Sequence, residues 1–137
     1  MLKFFSEEID FKLPFPQKTS TWIKTICKSD GYDIGDLSYI FCSDDYLLEI
    51  NKQYLDHDYY TDIITFDNSE EDGKVEADIY VSVDRVRENA AEFGSDFETE
   101  MHRVLIHGLL HLIGYNDTSD ELKAQMRAKE DECLLLF

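Results

Sequence analysis

The sequence predicts a single mixed α/β (α+β) domain over residues 1–137, with about four strands in one sheet and about five helices packed on it. Three observations predict this class. The chain has 137 residues, a usual length for one domain. Hydrophobic residues make up 43 % of the chain, which is enough for one core. Short strand-forming runs alternate with helical patterns in the order β-α-β-α-β-β-α-α-α.

The first half of the chain is predicted to begin with a strand and a helix. Scattered apolar residues over 4–13 predict the strand, which Pro14 ends. Apolar residues then recur at helical spacing from residue 17, and Gly31 ends this helix. Trp22 lies on the apolar face of the helix, so we expect it in the core.

A second strand and a second helix follow. Residues 37–42 form a short run of strand-forming residues. Ser43 is the expected N-cap of a helix that reaches Tyr54, and acidic residues in its first turn favour that end of the helix. Residues 56–60 read as a polar, aromatic loop.

The middle of the chain predicts a β-hairpin. Residues 62–66 have the pattern of a buried strand, and residues 75–82 have the pattern of the next one. Between them, residues 68–74 form an acidic turn that contains Gly73.

Three helices are predicted after the hairpin. The first, capped by Ser82, runs to Phe93, and a longer one runs from Phe97 to Gly114. Residues 118–121 fit a capping box that would begin the last helix, which continues to about Leu134.

The charge of the chain restricts its partners. Thirteen Lys and Arg stand against thirty Asp and Glu, which gives a formal net charge of −17. Such a chain would repel phosphates and anionic membranes, so we expect no membrane partner, no DNA and no broad electrostatic hold on nucleic acid. No apolar run reaches the roughly 18 residues of a membrane helix, and the acidic N-terminus is unlike a signal peptide. Chemistry on an anion stays possible where a bound metal reverses the local sign.

The cysteines indicate a reducing compartment. Cys27, Cys42 and Cys133 are odd in number and far apart, and none belongs to a CxxC pair. This pattern predicts reduced, mostly buried thiols in a cytosolic, cytoplasmic protein. A reactive or metal-binding role is the alternative.

One group of residues has the spacing of a metal-binding site. His107 and His111 are four positions apart in a helical pattern, so both imidazoles lie on one face. This spacing lets two ring nitrogens reach one Zn²⁺. Gly114 follows where a helix would end in a left-handed residue, and the turn would bring Asp117 toward the same ion. Two imidazoles and a carboxylate leave a fourth position for water, as catalytic zinc sites require.

The alternative is that these histidines are solvent-facing or core residues of an amphipathic helix. The residues between and after them are largely apolar, so both histidines are expected to be partly buried. Neutral imidazoles in such surroundings need polar partners, which the metal site would supply.

Other classes of protein could share this spacing, one of them enzymatic and one not. Metalloproteases of the metzincin type carry a general-base Glu directly after the first His, whereas this chain has Gly108 there. A non-catalytic, ribosome-associated protein with a structural zinc is the remaining alternative. Structural zinc sites are normally closed by four protein ligands, and the spacing here leaves one position open.

The histidine segment resembles a family signature. Residues 107–117 read His-Gly-Leu-Leu-His-Leu-Ile-Gly-Tyr-Asn-Asp. This is similar to the His-Gly-x-Leu-His-Leu-x-Gly-Tyr-Asp-His signature of the YbeY family of bacterial endoribonucleases. The resemblance covers about residues 51–131 and includes the strands at 61–66 and 77–82 and the last helix.

The resemblance implies an activity and its partners. It implies a single-strand-directed endoribonuclease that acts in rRNA maturation and ribosome quality control. One Zn²⁺ held by His107, His111 and Asp117 would supply the water that hydrolyses the phosphodiester. The substrate would be an rRNA precursor. Given the charge of the chain, we expect the ribosome or a protein partner to present it, and we expect weak binding of free RNA with a shallow salt dependence.

The sequence departs from the family pattern at several positions. The third ligand is usually His in the family and is Asp117 here, which would make bound water less acidic and shift preference toward harder ions. The family arginine expected to contact phosphate is replaced by Leu55, and Tyr60 and Ala77 replace a proline and a glycine.

Arg103 is the substitute candidate for the phosphate contact. It lies one turn before His107 on roughly the same helix face. The alternative is a surface arginine paired with Glu100 or Asp96.

Other site residues are weaker candidates. Tyr59 and Tyr60 could stack on bases of a single strand. Asp62 and Asp78 are either a general base or, more simply, buried structural carboxylates. His57 and His102 are expected to be ordinary surface histidines.

Overall fold

The computed structural model describes all 137 residues and has the predicted order of elements. The strands are β1 (Leu2–Ser6), β2 (Asp33–Cys42), β3 (Ile63–Asp67) and β4 (Lys74–Ser82). The helices are α1 (Pro16–Ser29), α2 (Asp44–Leu55), α3 (Val83–Phe93), α4 (Phe97–Leu112) and α5 (Asp120–Leu134). No helix of the structure is both long and apolar enough to cross a membrane.

The four strands form one mixed sheet in the order β1-β2-β4-β3. β2 pairs in parallel with both β1 and β4, which the helical crossovers between them allow. β3 pairs antiparallel with β4, and Ile63 lies opposite Val81. The predicted fold class, with four strands, a hairpin and five helices, is therefore confirmed.

The sheet separates two layers because its side chains alternate between faces. In β4, Val75, Ala77, Ile79 and Val81 are buried and face α4, in a core of 24 buried residues. On the opposite face, α2 packs a smaller cluster that includes Tyr80. The two faces thus carry different environments, and the candidate site belongs to the α4 side.

Helix α4 lies very close to the sheet. A Cβ built at Gly108 would be only 2.8 Å from Cδ1 of Ile63 and 3.4 Å from Ile79, so glycine permits this approach. One turn earlier, the hydroxyl of buried Tyr39 donates a 2.9 Å hydrogen bond to the carbonyl of Leu105. The position of α4 is therefore fixed by packing and by a buried hydrogen bond.

The predicted helix starts are largely confirmed. The hydroxyls of Ser43 and Ser82 accept hydrogen bonds from the backbone N–H groups three residues on, at 3.1 Å each. Gly94 ends α3 in the left-handed region with φ 71°. The predicted capping box is shifted by one residue, because Ser119 rather than Thr118 caps α5.

The predicted first strand is wrong in length. β1 ends at Ser6, and Glu8 takes a positive φ of 58°, which breaks the extended backbone. The apolar residues beyond it, Phe11 and Leu13, anchor an irregular segment against the core instead. Similarly, β2 begins at Asp33, before the predicted residue 37. A bulge between Ile34 and Leu37 interrupts the regular strand pattern, so the sequence indicated only the part of the strand after the bulge.

The cysteines agree with the sequence prediction. Cys27, Cys42 and Cys133 are free and buried, and the Nε1–H of buried Trp22 donates to the carbonyl of Cys133 at 2.9 Å. Burial raises the pKa of the Cys27 and Cys133 thiols to about 11 and that of Cys42 to about 12.

These thiols are predicted to be inert in the folded protein. At pH 8, only about one thiol in a thousand is ionised when its pKa is near 11, and the thiolate is the reactive species. We expect DTNB to react at least about 100-fold more slowly with the native chain than with the chain in guanidinium chloride. A native thiol that reacts at the denatured rate would contradict this expectation.

Candidate metal centre and catalytic pocket

A pocket of about 370 Å³ lies between α4, α5 and the start of β3. It is lined by polar and charged side chains that converge from these elements. They include Asp62, Arg103, His107, Asp117, Arg127 and Glu130.

The two histidines project from the last two turns of α4. Gly114 has φ 108° and follows the helix, and Tyr115 N–H bonds back to the carbonyl of Leu110 at 3.0 Å. The predicted turn therefore forms, and it brings Oδ2 of Asp117 to 3.8 Å from Nε2 of His107. The expected partial burial holds for His107, whose side chain is 29 % exposed, and is wrong for His111, which is exposed.

His107 is held by a buried carboxylate that the sequence did not reveal as a site residue. Its Nδ1–H donates a 2.7 Å hydrogen bond to Oε2 of Glu130, which is only 4 % exposed. Because the carboxylate can only accept, Nδ1 carries the proton and Nε2 faces Asp117. The only sequence signal is that Glu130 lies on the buried stripe of α5, between Met126 and Cys133.

Arg103 binds the carboxylate of Glu130 and helps to hold it in place. Its Nη1 donates to Oε1 of Glu130 at 2.9 Å, and its Nη2 donates to Asp131. The predicted ion-pair partners, Glu100 and Asp96, are wrong, because α5 packs across α4 and supplies the carboxylates instead. Arg103 does line the pocket, and its contact with a phosphate stays a prediction.

The pocket shifts the proton equilibria of its members. The hydrogen bond to Glu130 raises the pKa of His107, against the opposing effect of burial. Burial raises the pKa of Asp62, although the nearby imidazole of His107 partly offsets this effect. A raised carboxyl pKa brings Asp62 closer to the range in which a side chain exchanges protons near neutral pH.

The two strand carboxylates that the sequence treated alike lie in different places. Asp62 lines the pocket beside His107. Asp78 lies on the opposite face of the sheet, where its carboxylate accepts a 3.3 Å hydrogen bond from the amide of Asn68. Neither is fully buried.

Two cations in the pocket were missed. Lys123 and Arg127 lie four residues apart on α5, so they share one helix face. Neither has a carboxylate within 4 Å, whereas Arg103 has two. The i, i+4 spacing was the available signal, but the sequence alone does not show which face of α5 meets α4.

The loop tyrosines lie outside this pocket. Tyr59 is 56 % exposed and its hydroxyl bonds with Nδ1 of His57 at 3.0 Å. Tyr60 is 48 % exposed and donates to Asp45 at 3.0 Å. Their predicted stacking on bases stays a prediction, and His57 is exposed as expected.

His102 differs from the prediction that it is an ordinary surface histidine. Its ring centroid lies 5.6 Å from that of Trp22 and 3.9 Å from that of Phe137. Burial lowers its pKa. The C-terminal residue covers this side chain, which the sequence pattern of α4 could not indicate.

His107 and Asp117 are side chains of the types that bind divalent metals and lie close together, although no three His, Cys, Asp or Glu side chains of the chain stand close enough to coordinate one ion. Two ligands of a tetrahedral zinc lie roughly 3.4 Å apart when each bond is about 2.1 Å. The 3.8 Å between Nε2 of His107 and Oδ2 of Asp117 is near this value. A carboxylate on the other ring nitrogen is the usual outer-shell partner of a metal-binding histidine. The full ligand set with His111 stays a prediction.

Gly108 argues against a peptidase site of the metzincin type. That site needs a Glu directly after the first histidine. Here a side chain at position 108 would run into Ile63 and Ile79 of the sheet, away from the pocket. A small α/β domain with a histidine, carboxylates and free cations in one pocket defines instead the class of metal-dependent hydrolases that act on anionic substrates.

Comparisons with known proteins identify the family. The family model described as Endoribonuclease YbeY matches residues 5–137, and the chain belongs to this family of endoribonucleases. The Endoribonuclease YbeY of Cytophaga hutchinsonii is 55 % identical over 97 % of this chain and 93 % of its own length. That of Flavobacterium psychrophilum is 50 % identical, over 97 % and 94 %. The solution structure of TM1509 from Thermotoga maritima matches with a TM-score of 0.71 and 34 % identity, over 98 % of this chain and 87 % of that one.

Glu130 is predicted to strengthen metal binding through His107. We expect Glu130→Gln to weaken Zn²⁺ affinity about 10-fold and Glu130→Ala about 100-fold, the range found for outer-shell partners. A chelator-competition titration of the metal-free chain measures this effect.

Asp131→Asn is the matched control. Asp131 also binds Arg103, but it does not contact His107 and its side chain is 58 % exposed. It should retain the affinity of the unmodified chain. Equal losses for Glu130→Gln and Asp131→Asn would show that Glu130 has no special role.

Proposed function

We propose that this chain is a metal-dependent endoribonuclease that cleaves single-stranded RNA in rRNA maturation and ribosome quality control. One Zn²⁺ would be held by His107, His111 and Asp117. The observation that carries the proposal is the orientation of His107, whose Nδ1 is bound by Glu130 and whose Nε2 points at Asp117. The proposal treats residues 1–137 as one hydrolase domain that works in the cytoplasm.

The bound ion would supply Lewis acidity to a phosphoryl oxygen and to an attacking water. Asp117 in place of the usual histidine adds negative charge, so we expect a greater tolerance for harder ions such as Mn²⁺ than a three-histidine site would have. Arg103 and Glu130 keep the His107 ring in place.

Asp62 is the best candidate for the general base. It lines the same pocket as His107 and no other side chain hydrogen-bonds to its carboxylate. Its raised pKa favours proton transfer from water near neutral pH. In this role, Asp62 takes the proton of the attacking water, and the leaving oxygen of the cleaved phosphodiester receives one from solvent.

Lys123 and Arg127 are proposed to contact the phosphates that flank the cleaved bond. They have no carboxylate partner in the chain, so their charges are available to an anion. Arg103 is proposed to add positive charge from deeper in the pocket while its hydrogen bonds hold Glu130. Together these three cations replace the family arginine that is Leu55 here.

The local cations are few compared with the net charge of −17. Free RNA would therefore be held weakly, and presentation of the rRNA precursor by the ribosome or by a protein partner remains part of the proposal. Tyr59 and Tyr60, both exposed, are proposed to stack on bases outside the pocket.

Cleavage should depend on metal and on His107. We expect the chain to cleave a single-stranded RNA oligonucleotide, and we expect EDTA to abolish this activity. His107→Ala should lower the rate by more than about 100-fold, beyond the usual cost of losing an outer-shell partner. Lys24→Ala removes an exposed side chain of α1, outside the pocket, and should leave the rate unchanged. Cleavage that survives EDTA or His107→Ala would refute the mechanism.

The salt dependence of RNA binding tests the α5 cations. We expect Lys123→Ala and Arg127→Ala each to reduce the slope of log affinity against log salt by about 0.7, the value for one contact to a single strand. Lys24→Ala removes an exposed cation from α1 and should leave the slope unchanged. A slope that is insensitive to both α5 substitutions would remove these residues from the proposal.

A further inference from the structure

The part of the catalytic pocket that α3 forms carries no charge. Helices α3 and α5 both pack against α4, which contributes His107 to the pocket. The α5 side contains the cations Lys123 and Arg127, whereas the α3 residues that line the pocket are Asn89 and Phe93. These two α3 residues are four positions apart, so they share one face of the helix. The pocket therefore has free cations on one side and an uncharged, aromatic and polar surface on the other.

The aromatic ring of Phe93 is largely uncovered. Phe93 is 63 % exposed, and its ring makes no ring–ring or cation–π contact within the chain. It is the last residue of α3, and Gly94 ends the helix directly after it. A single exposed aromatic side chain is common on protein surfaces. This one lines the pocket that holds the catalytic candidates, so its ring is available to a flat ligand there.

The carboxamide of Asn89 also has no partner. Asn89 is half-buried, and its side chain makes no hydrogen bond within the chain. A carboxamide can both donate and accept hydrogen bonds. Proteins bind the bases of single-stranded RNA by stacking them on aromatic rings and by hydrogen bonds to their edges. Phe93 and Asn89 together supply one group for each of these contacts.

The size and charge of the pocket fit one nucleotide. Its volume of about 370 Å³ is close to the lower end of the range of roughly 300–1,000 Å³ for small-molecule sites. A nucleotide has an anionic phosphate at one end and a flat, uncharged base at the other. Lys123 and Arg127, which have no carboxylate within 4 Å, suit the phosphate. The uncharged α3 side suits the base.

We propose that Asn89 and Phe93 form a nucleobase subsite of the catalytic pocket. The base next to the cleaved phosphodiester stacks on the ring of Phe93, and its polar edge hydrogen-bonds to the carboxamide of Asn89. The link between this base and the cleaved bond rests on the proposed function, whereas the binding of a nucleotide does not depend on it. Because every base has a π-face, the subsite fixes the position of the strand more than it selects its sequence.

The test compares two ligands that differ only in the base. One is AMP, and the other is the methyl β-riboside 5′-phosphate, in which a methoxy group replaces adenine. Both are titrated into the full chain, and binding is followed in ¹H–¹⁵N NMR spectra. We expect AMP to bind at least about fivefold more tightly, the lower end of the effect of stacking one base on an aromatic side chain. The amides of residues 89–94 should shift with AMP and not with the base-free ligand.

Substitutions separate stacking from a general effect on the pocket. Phe93→Ala should weaken AMP binding about fivefold and leave binding of the base-free ligand unchanged. Phe93→Tyr keeps an aromatic ring and should retain AMP affinity. Asn89→Ala should weaken AMP binding about threefold, as expected for one hydrogen bond. Phe15→Ala is the matched control, because Phe15 is 68 % exposed and lies outside the pocket, and it should change neither affinity.

Several results would overturn the proposal. Equal affinities for the two ligands would show that the pocket does not bind the base. Equal losses for both ligands in Phe93→Ala, with an unchanged thermal midpoint, would show that Phe93 only shapes the pocket. A loss of AMP affinity in Tyr59→Ala but not in Phe93→Ala would assign base binding to the loop before β3.

The proposed function and the subsite fail in different ways. If the chain does not cleave single-stranded RNA but AMP binding still depends on Phe93, the proposed function is refuted and the subsite stands. If EDTA-sensitive cleavage is present and Phe93→Ala alters neither its KM nor AMP binding, the subsite is refuted and the proposed function stands.

Discussion

The close packing of α4 on the β3–β4 hairpin is the constraint on which the rest of the structure depends. Gly108 has no side chain, so the helix backbone approaches the sheet to a distance at which a Cβ would clash with Ile63. With one face of α4 fixed in this way, His107 and Arg103 are directed toward α5. There, Glu130 binds both of them, and breaking such a buried pair by removing one partner costs about 3–5 kcal/mol.

The sheet also separates two surfaces that differ in their charged side chains. The chain's net charge of −17 is not spread evenly, because the pocket beside α4 gathers three Lys and Arg residues among its carboxylates, while the concave surface beside α2 contains no Lys or Arg. A strongly acidic protein can therefore still gather several cations in one pocket.

Particular residues show where sequence reasoning succeeds and where it stops. The histidine spacing and Gly114 predict the turn that carries Asp117, because helix geometry and a left-handed glycine are local properties. The partners of Arg103 were misassigned, because they come from α5, 27 and 28 residues away in the chain. Residues 7–13 were misread as strand, because apolar side chains that anchor an irregular segment have no distinct periodicity.

By itself, the sequence determined the order of the elements, the histidine pair, the buried thiols and the resemblance to an endoribonuclease family. These features are encoded in local periodicity, in helix and turn signals and in one contiguous motif. Only the tertiary structure decided that Glu130 orients His107, and that Asp62 and Asp78 lie on opposite faces of the sheet. Such relations arise when elements distant in the chain pack together, and a single sequence does not specify which side chains then meet.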